Sequence, residues 1–203
     1  MHLETLKVEA RELLPYIHNF KSFYLAGGTA VALQIGHRIS VDFDFFSSEP
    51  IAKTCLAYVK SKLPADVSIN VAVNDSSQLT LFVNEVKLSF LHYPFPVILP
   101  FVADLNMLSL PELAATKAYT IGGRGEYKDY VDMYFLLEGG HISLNDLLKL
   151  TKDKYQNDFN DRLFLEQLIY LDDLDTTNVR LLKQSELSKD KVKDFFVRQL
   201  ATL

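Results

Sequence analysis

The chain has 203 residues, 48% hydrophobic and 23% charged, with a net charge of −5. That is enough apolar material for one sizeable core or two small lobes, and the acidic balance excludes a general polyanion-binding surface while leaving room for a local basic patch. The single cysteine, Cys55, allows no internal disulfide, which fits a reducing cytosol; no apolar run reaches membrane-span length, and the charged opening MHLETLKVEAREL lacks the apolar core of a signal peptide.

In chain order, Leu3, Leu6, Ala10, Leu13, Leu14 and Ile17 recur at helical spacing and predict a helix over 3–20, kinked or ended by Pro15. Phe23 to Ala26 reads as a short strand entering a Gly27-Gly28 turn. Thr29 to Ile35 reads as two helical turns, with Gly36 as C-cap. Val41 to Phe46 is a strand. Ser47 to Pro50 turns into a helix over Ile51 to Leu63, with Ile51, Cys55, Leu56 and Val59 inward. Val67, Ile69, Val71 and Val73 alternate as a strand does. Leu79–Val83 and Val86–His92 flank Asn84-Glu85, a two-residue connection suited to a hairpin. The prolines of Tyr93-Pro94-Phe95-Pro96 end the sheet.

From Leu105 the pattern is helical. Ser109-Leu110-Pro111-Glu112 has the form of a capping box and opens a helix that Gly122-Gly123 should stop. Further helices are expected over Tyr127 to Leu137, after Ser143, within Asp161 to Leu171, and from Ser188 with Val192, Phe195, Phe196 and Leu200 inward. The fold class is therefore mixed α/β, with a sheet lobe over 1–103 and a helical lobe over 104–203.

The chemistry concentrates in Tyr24 to Ser47, YLAGGTAVALQIGHRISVDFDFFS. Glycines at a helix start let an anion approach backbone N–H groups, and the helix dipole favours it. Asp42 and Asp44 stand two apart on the predicted strand and share one face, with Val41, Phe43 and Phe45 on the other. Two neighbouring carboxylates are best tolerated around a divalent cation such as Mg²⁺ or Mn²⁺. Phosphate at one end and metal at the other are the minimum equipment for metal-assisted phosphoryl or nucleotidyl transfer. A helix–strand corner with an acidic edge is the plainer reading. Arg38 suits a phosphate or balances the aspartates, and His37 reads as a loop residue. Lys117 falls on the helix face of Leu110, Leu113, Ala114 and Ile121, where a lysine either meets an anion or snorkels to solvent. Asp129 and Asp132, three apart, share a helix face. Asp132 could pair with Lys128 or cap a neighbouring helix, and Arg124 lies in a glycine-rich loop near them.

GGTAVALQIGHRISVDFDFF resembles the first motif of the AbiEii/AbiGii toxin family, nucleotidyltransferase-like proteins of the DNA polymerase β superfamily. LPELAATKAYTIGGRGEYKDYVDMYFLL resembles a second family motif, and the two cover roughly a quarter of the chain. The resemblance implies a polymerase β-like sheet lobe followed by a helical lobe. It implies a metal held by Asp42 and Asp44, and nucleotide phosphates held by Gly27, Gly28, Thr29, Arg38 and Arg124. Lys117 would neutralise charge on those phosphates, and Asp129 and Asp132 would close the cleft. An NTP would be the substrate, a hydroxyl of RNA, notably tRNA, the acceptor, and a cognate antitoxin the partner. The chain departs from the superfamily pattern at Val86-Lys87-Leu88-Ser89-Phe90, where a third carboxylate is expected at or beside Ser89. Either Glu85, Asp104, Asp129 or Asp132 takes that role, or the protein binds nucleotide and metal without efficient turnover.

Overall fold

Five strands form one mixed sheet in the order β1-β2-β5-β4-β3: β1 Tyr24–Ala26, β2 Phe43–Ser47, β3 Ile69–Asn74, β4 Gln78–Val83 and β5 Val86–His92. The computed structural model describes residues 1–102, 106–182 and 187–203, with Arg124 described in its backbone alone. β2 pairs antiparallel with β1 and parallel with β5, and the other pairings are antiparallel. Period-two alternation explains what each face carries. Phe43, Phe45, Leu79, Leu81, Leu88 and Phe90 are buried on one face. There Phe45 and Phe90 stack at 5.0 Å, and Phe20 and Phe23 meet Phe90 edge-on. The β4–β5 hairpin turns on Asn84 and Glu85, both at positive φ, as a type I′ turn requires.

The helices are α1 Val8–Ile17, α2 Gly27–Ile35, α3 Cys55–Lys62, α4 Leu110–Arg124, α5 Tyr127–Glu138, α6 Leu144–Tyr155, α7 Asp161–Leu168 and α8 Lys189–Leu200. α2 packs on the sheet through β1 and β2 and also on α4 and α5, so it joins the two halves of the chain. Ser143 and Ser188 cap α6 and α8 through their hydroxyls. Gly36 caps α2 at φ +68. No helix among the described residues is long and apolar enough to cross a membrane.

Five expectations need correction. The helix predicted over 3–20 is broken: a 3-10 turn, Leu3–Thr5, precedes α1, because Leu6 is extended and pairs with Ser40. Pro15 lies inside α1 and does not end it. Val41 is not in the core; it is 41% exposed and precedes the first paired residue of β2. α4 runs through Gly122-Gly123 to Arg124, with Gly122 facing Phe164 of α7. The fifth is the capping box: Ser109 makes no side-chain cap, and Glu112 is drawn elsewhere. Its Oε1 accepts from the Ile98 and Leu99 amides at 2.6 and 2.8 Å, and its Oε2 lies 2.6 Å from Lys154 Nζ. Glu112 and Lys154 are both fully buried, and Lys154 also donates to the Pro96 carbonyl.

Candidate active site

The site begins where β1 runs into α2. Gly27 has φ +67, a backbone state that side chains strain, and α2 has no side-chain cap. Its first N–H groups are therefore open to a ligand. Ala26 is the register partner of Asp44, which puts the glycine turn beside the aspartate strand. A β-carbon on Gly27 would collide with the Asp44 carboxylate, and one on Gly28 would collide with the Arg38 guanidinium. Thr29 is buried; its hydroxyl donates to the Asp42 backbone carbonyl and lies 2.8 Å from Ser40 Oγ. Thr29 thus pins the backbone that presents Asp42.

Asp42 and Asp44 both line a cleft of ≈ 750 Å³ together with Gly28, Thr29 and Arg38. The Asp44 carboxylate takes no hydrogen bond among the described residues, although its backbone is paired in the sheet. Burial raises its carboxyl above the usual 3.8; Lys87 opposes the rise and Asp42 adds to it. Ser89 is the register partner of Asp44 on β5, and Lys87, two residues earlier on the same face, brings Nζ to 4.0 Å from Asp42 Oδ2. No group of three or more Asp, Glu, His or Cys residues suited to a metal occurs among the described residues.

Behind the cleft lies a buried charge cluster centred on Asp132, which is 0% exposed. Arg38 grips it with two hydrogen bonds, Nε to Oδ1 at 2.6 Å and Nη2 to Oδ2 at 2.9 Å. His37 Nε2 lies 2.7 Å from Oδ1, and Lys117 Nζ lies 2.7 Å from Oδ2. Lys117 also donates to Asp129 at 2.6 Å, and Asp129 caps α5 by accepting from the Glu126 amide. Two cations thus balance two carboxylates. Arg38 and Lys117 hold the Asp132 carboxyl well below the usual range despite its burial. Burial lowers the His37 imidazole, which fits a neutral ring donating from Nε2.

The sequence-based candidates therefore divide. Gly28, Thr29, Arg38, Asp42 and Asp44 line one cleft, and Gly27 abuts Asp44. Lys117, Asp129 and Asp132 do not line it; their charges face one another beneath Arg38. The pairing of Asp132 with Lys128 is not formed, since Lys128 meets Glu126 at 3.0 Å. The Arg124 side chain and Asp104 lie outside the described residues. Glu85 sits at the hairpin turn and does not line the cleft.

Sequence reasoning missed the far wall. Lys7 and Arg11, four residues apart at the start of α1, line the cleft, as do Lys128, Asn178 and Arg180. The spacing of Lys7 and Arg11 on one helical face was a readable signal. Arg180 had none: it arrives because residues 180–182 pair with 37–39, with Ile39 N donating to the Arg180 carbonyl and Leu182 N to that of His37.

Comparison with known proteins bears on this geometry. The chain is 31% identical over 209 residues to the uncharacterized protein aq_aa25 of Aquifex aeolicus (strain VF5), covering 98% of this chain and 97% of that one. A crystal structure described as a candidate nucleotidyltransferase from H. pylori shares the fold at a TM-score of 0.61 and 20% identity, over 96% of this chain and 93% of that one. The Megavirus polyadenylate synthase superposes over 63% of this chain and 30% of its own, with a TM-score of 0.45 and 16% identity. The family model described as nucleotidyl transferase AbiEii toxin, type IV TA system, matches residues 11–200. A glycine turn set against an aspartate strand is thus embedded in a match that spans nearly the whole chain, and the protein belongs to the AbiEii nucleotidyltransferase family.

Proposed function

We propose that the cleft holds a nucleoside triphosphate with Mg²⁺ or Mn²⁺ and transfers the nucleotidyl group to a hydroxyl of RNA, with tRNA as the favoured acceptor. The observation that carries this reading is the contact between Gly27 and Asp44: the anion-binding turn and the carboxylate strand are close enough for one triphosphate to touch both. The donor set fits a hard divalent cation, because Asp42 and Asp44 offer carboxylate oxygens and the Asp44 carboxylate is not engaged by a hydrogen bond among the described residues. Such a cation would supply positive charge against the phosphate oxygens.

The chain's own groups account for the rest. The uncapped α2 N–H groups receive phosphate at Gly28. Arg38, held rigid by Asp132, stands against Gly28 and adds a fixed positive charge there. Lys7, Arg11, Lys128 and Arg180 make the rim locally basic in a chain of net charge −5, which suits a polyanionic acceptor. In the transfer, the acceptor oxygen bonds to the α-phosphorus, the bond from that phosphorus to the bridging oxygen breaks, and pyrophosphate leaves. The hydroxyl proton passes to water. Lys117, Asp129 and Asp132 are read as positioning residues, since they act through Arg38. The family description also suggests a cognate antitoxin as partner.

Incubation with Mg²⁺, each labelled NTP and total RNA tests the reading. Labelled RNA that disappears in Asp44→Asn and survives Lys53→Ala, at an exposed site, supports it. A second reading, a nucleotide-binding module without efficient turnover, is favoured by one observation: Ser89, not an acid, is paired with Asp44. Nucleotide-dependent thermal stabilisation without labelling, and a gain of labelling in Ser89→Asp, would select it.

A further inference from the structure

The flank of the aspartate pair that faces β5 is occupied by Lys87 and Ser89. Lys87 Nζ stands 4.0 Å from Asp42 Oδ2, with the two side chains 38% and 40% exposed. The opposite flank, toward β1, carries the glycine turn. A pair of divalent ions, about 3.5–4 Å apart, needs anionic oxygens on both flanks. The remaining acids of the cleft wall come from other elements and have basic partners: Glu126 meets Lys128, and Glu4 meets His2. Asp129 and Asp132 are committed to Lys117 and Arg38. Among the described residues no third carboxylate joins Asp42 and Asp44, and the β5 flank where one would complete a second site carries Ser89 and the Lys87 ammonium.

We propose that Lys87 is a built-in cation that limits this site to one divalent ion, supplying on the β5 flank the positive charge a second ion would bring. The inference rests on the proposed metal–nucleotide reading. An ammonium beside Asp42 repels a second divalent ion. It also competes with the first for the Asp42 carboxylate until a triphosphate adds negative charge. Metal should therefore bind weakly to the free protein and tightly with nucleotide.

Mn²⁺ titration of the full chain, read by the electron paramagnetic resonance signal of free Mn²⁺, tests the proposal. With a non-hydrolysable α,β-methylene NTP, the expected stoichiometry is one ion per chain for the wild type and two for Lys87→Glu. Without nucleotide, Lys87→Met should bind Mn²⁺ about tenfold more tightly than the wild type, the scale of a unit charge removed at ~4 Å in a solvated site. The Met variant adds no acid and keeps the test available if the Glu variant does not fold. Two ions per wild-type chain, one ion in a folded Lys87→Glu, or unchanged affinity in Lys87→Met would each overturn the proposal. No bound ion in any variant would overturn the metal reading of Asp42 and Asp44 itself, a result separable from two ions in the wild type.

Discussion

Gly27 and Asp44 compete for one space: the glycine lacks the atom that would strike the Asp44 carboxylate, and its φ of +67 is one that other residues adopt at a cost. Gly27→Ala therefore meets strain and displacement together. An L-residue in the left-handed region costs roughly 1–2 kcal/mol, and the carboxylate must also move. We expect a lower melting temperature and loss of the stabilisation that Mg²⁺ with an NTP confers. Thermal denaturation with and without ligand checks both.

Asp132 gathers more basic partners than any other described carboxylate near the cleft. It receives Arg38, Lys117 and His37 with no exposure to solvent. Removing one partner of a buried ion pair strands the others, at about 3–5 kcal/mol. Asp132→Ala should shift the urea midpoint by an amount of that order and loosen Arg38 from Gly28. Asp132→Asn keeps the shape and should retain more of the stability.

Acid should weaken the protein in two stages. Burial holds the His37 imidazole below its usual 6.5, so as pH falls past 6.5 the unfolded chain takes up a proton that the folded chain resists, and stability drops. The Asp132 carboxyl is held well below its usual 3.8 by Arg38 and Lys117. Its contribution is full above 3.8 and is lost as pH falls from there toward its folded value. Urea melts from pH 7.5 to 3 should show both stages, and His37→Gln should lack the first.

Cation binding at the aspartate pair should be sensitive to acid earlier than an ordinary carboxylate site. Burial raises the Asp44 carboxyl above 3.8, and a metal must displace that proton. Mn²⁺ affinity should therefore begin to fall at a higher pH than an unshifted carboxylate would dictate. Calorimetric titration across pH 4 to 7 measures it, with Asp44→Asn as the null.

The Glu112–Lys154 pair predicts a defect remote from the cleft. Lys154→Met leaves Glu112 buried with only the Ile98 and Leu99 amides as partners. A loss of about 3–5 kcal/mol is expected, read as a lower urea midpoint with an unchanged requirement for Asp44 in RNA labelling.

What the sequence made legible was local. The strand around Phe43, the Asn84-Glu85 hairpin and the Gly36 cap all follow from periodicity or backbone freedom within a few residues. The glycine turn and the aspartates fall within one short stretch, so their association was legible as well. Long-range competition hid the rest. Ser109 to Glu112 has a capping sequence, yet a lysine 42 residues later claims the glutamate. Lys117 on an apolar helix face calls for an anion or for solvent, and Asp129 and Asp132 provide the anion from another helix. His37 and Arg38 find Asp132 across 95 and 94 positions. The capping box that does form, Glu126 with Asp129, lacks the usual serine or threonine and so carries no sequence signature.

The Arg38–Asp132 clasp also decides how the chain can be divided. Arg38 belongs to the stretch that carries the glycines and aspartates, but the charge that steadies it comes from α5. A fragment ending near residue 102 would leave that guanidinium without its counter-ion, pressed against Gly28. The sheet half is therefore not a transplantable ligand-binding cassette. Any split or graft has to bring α4 and α5 with it.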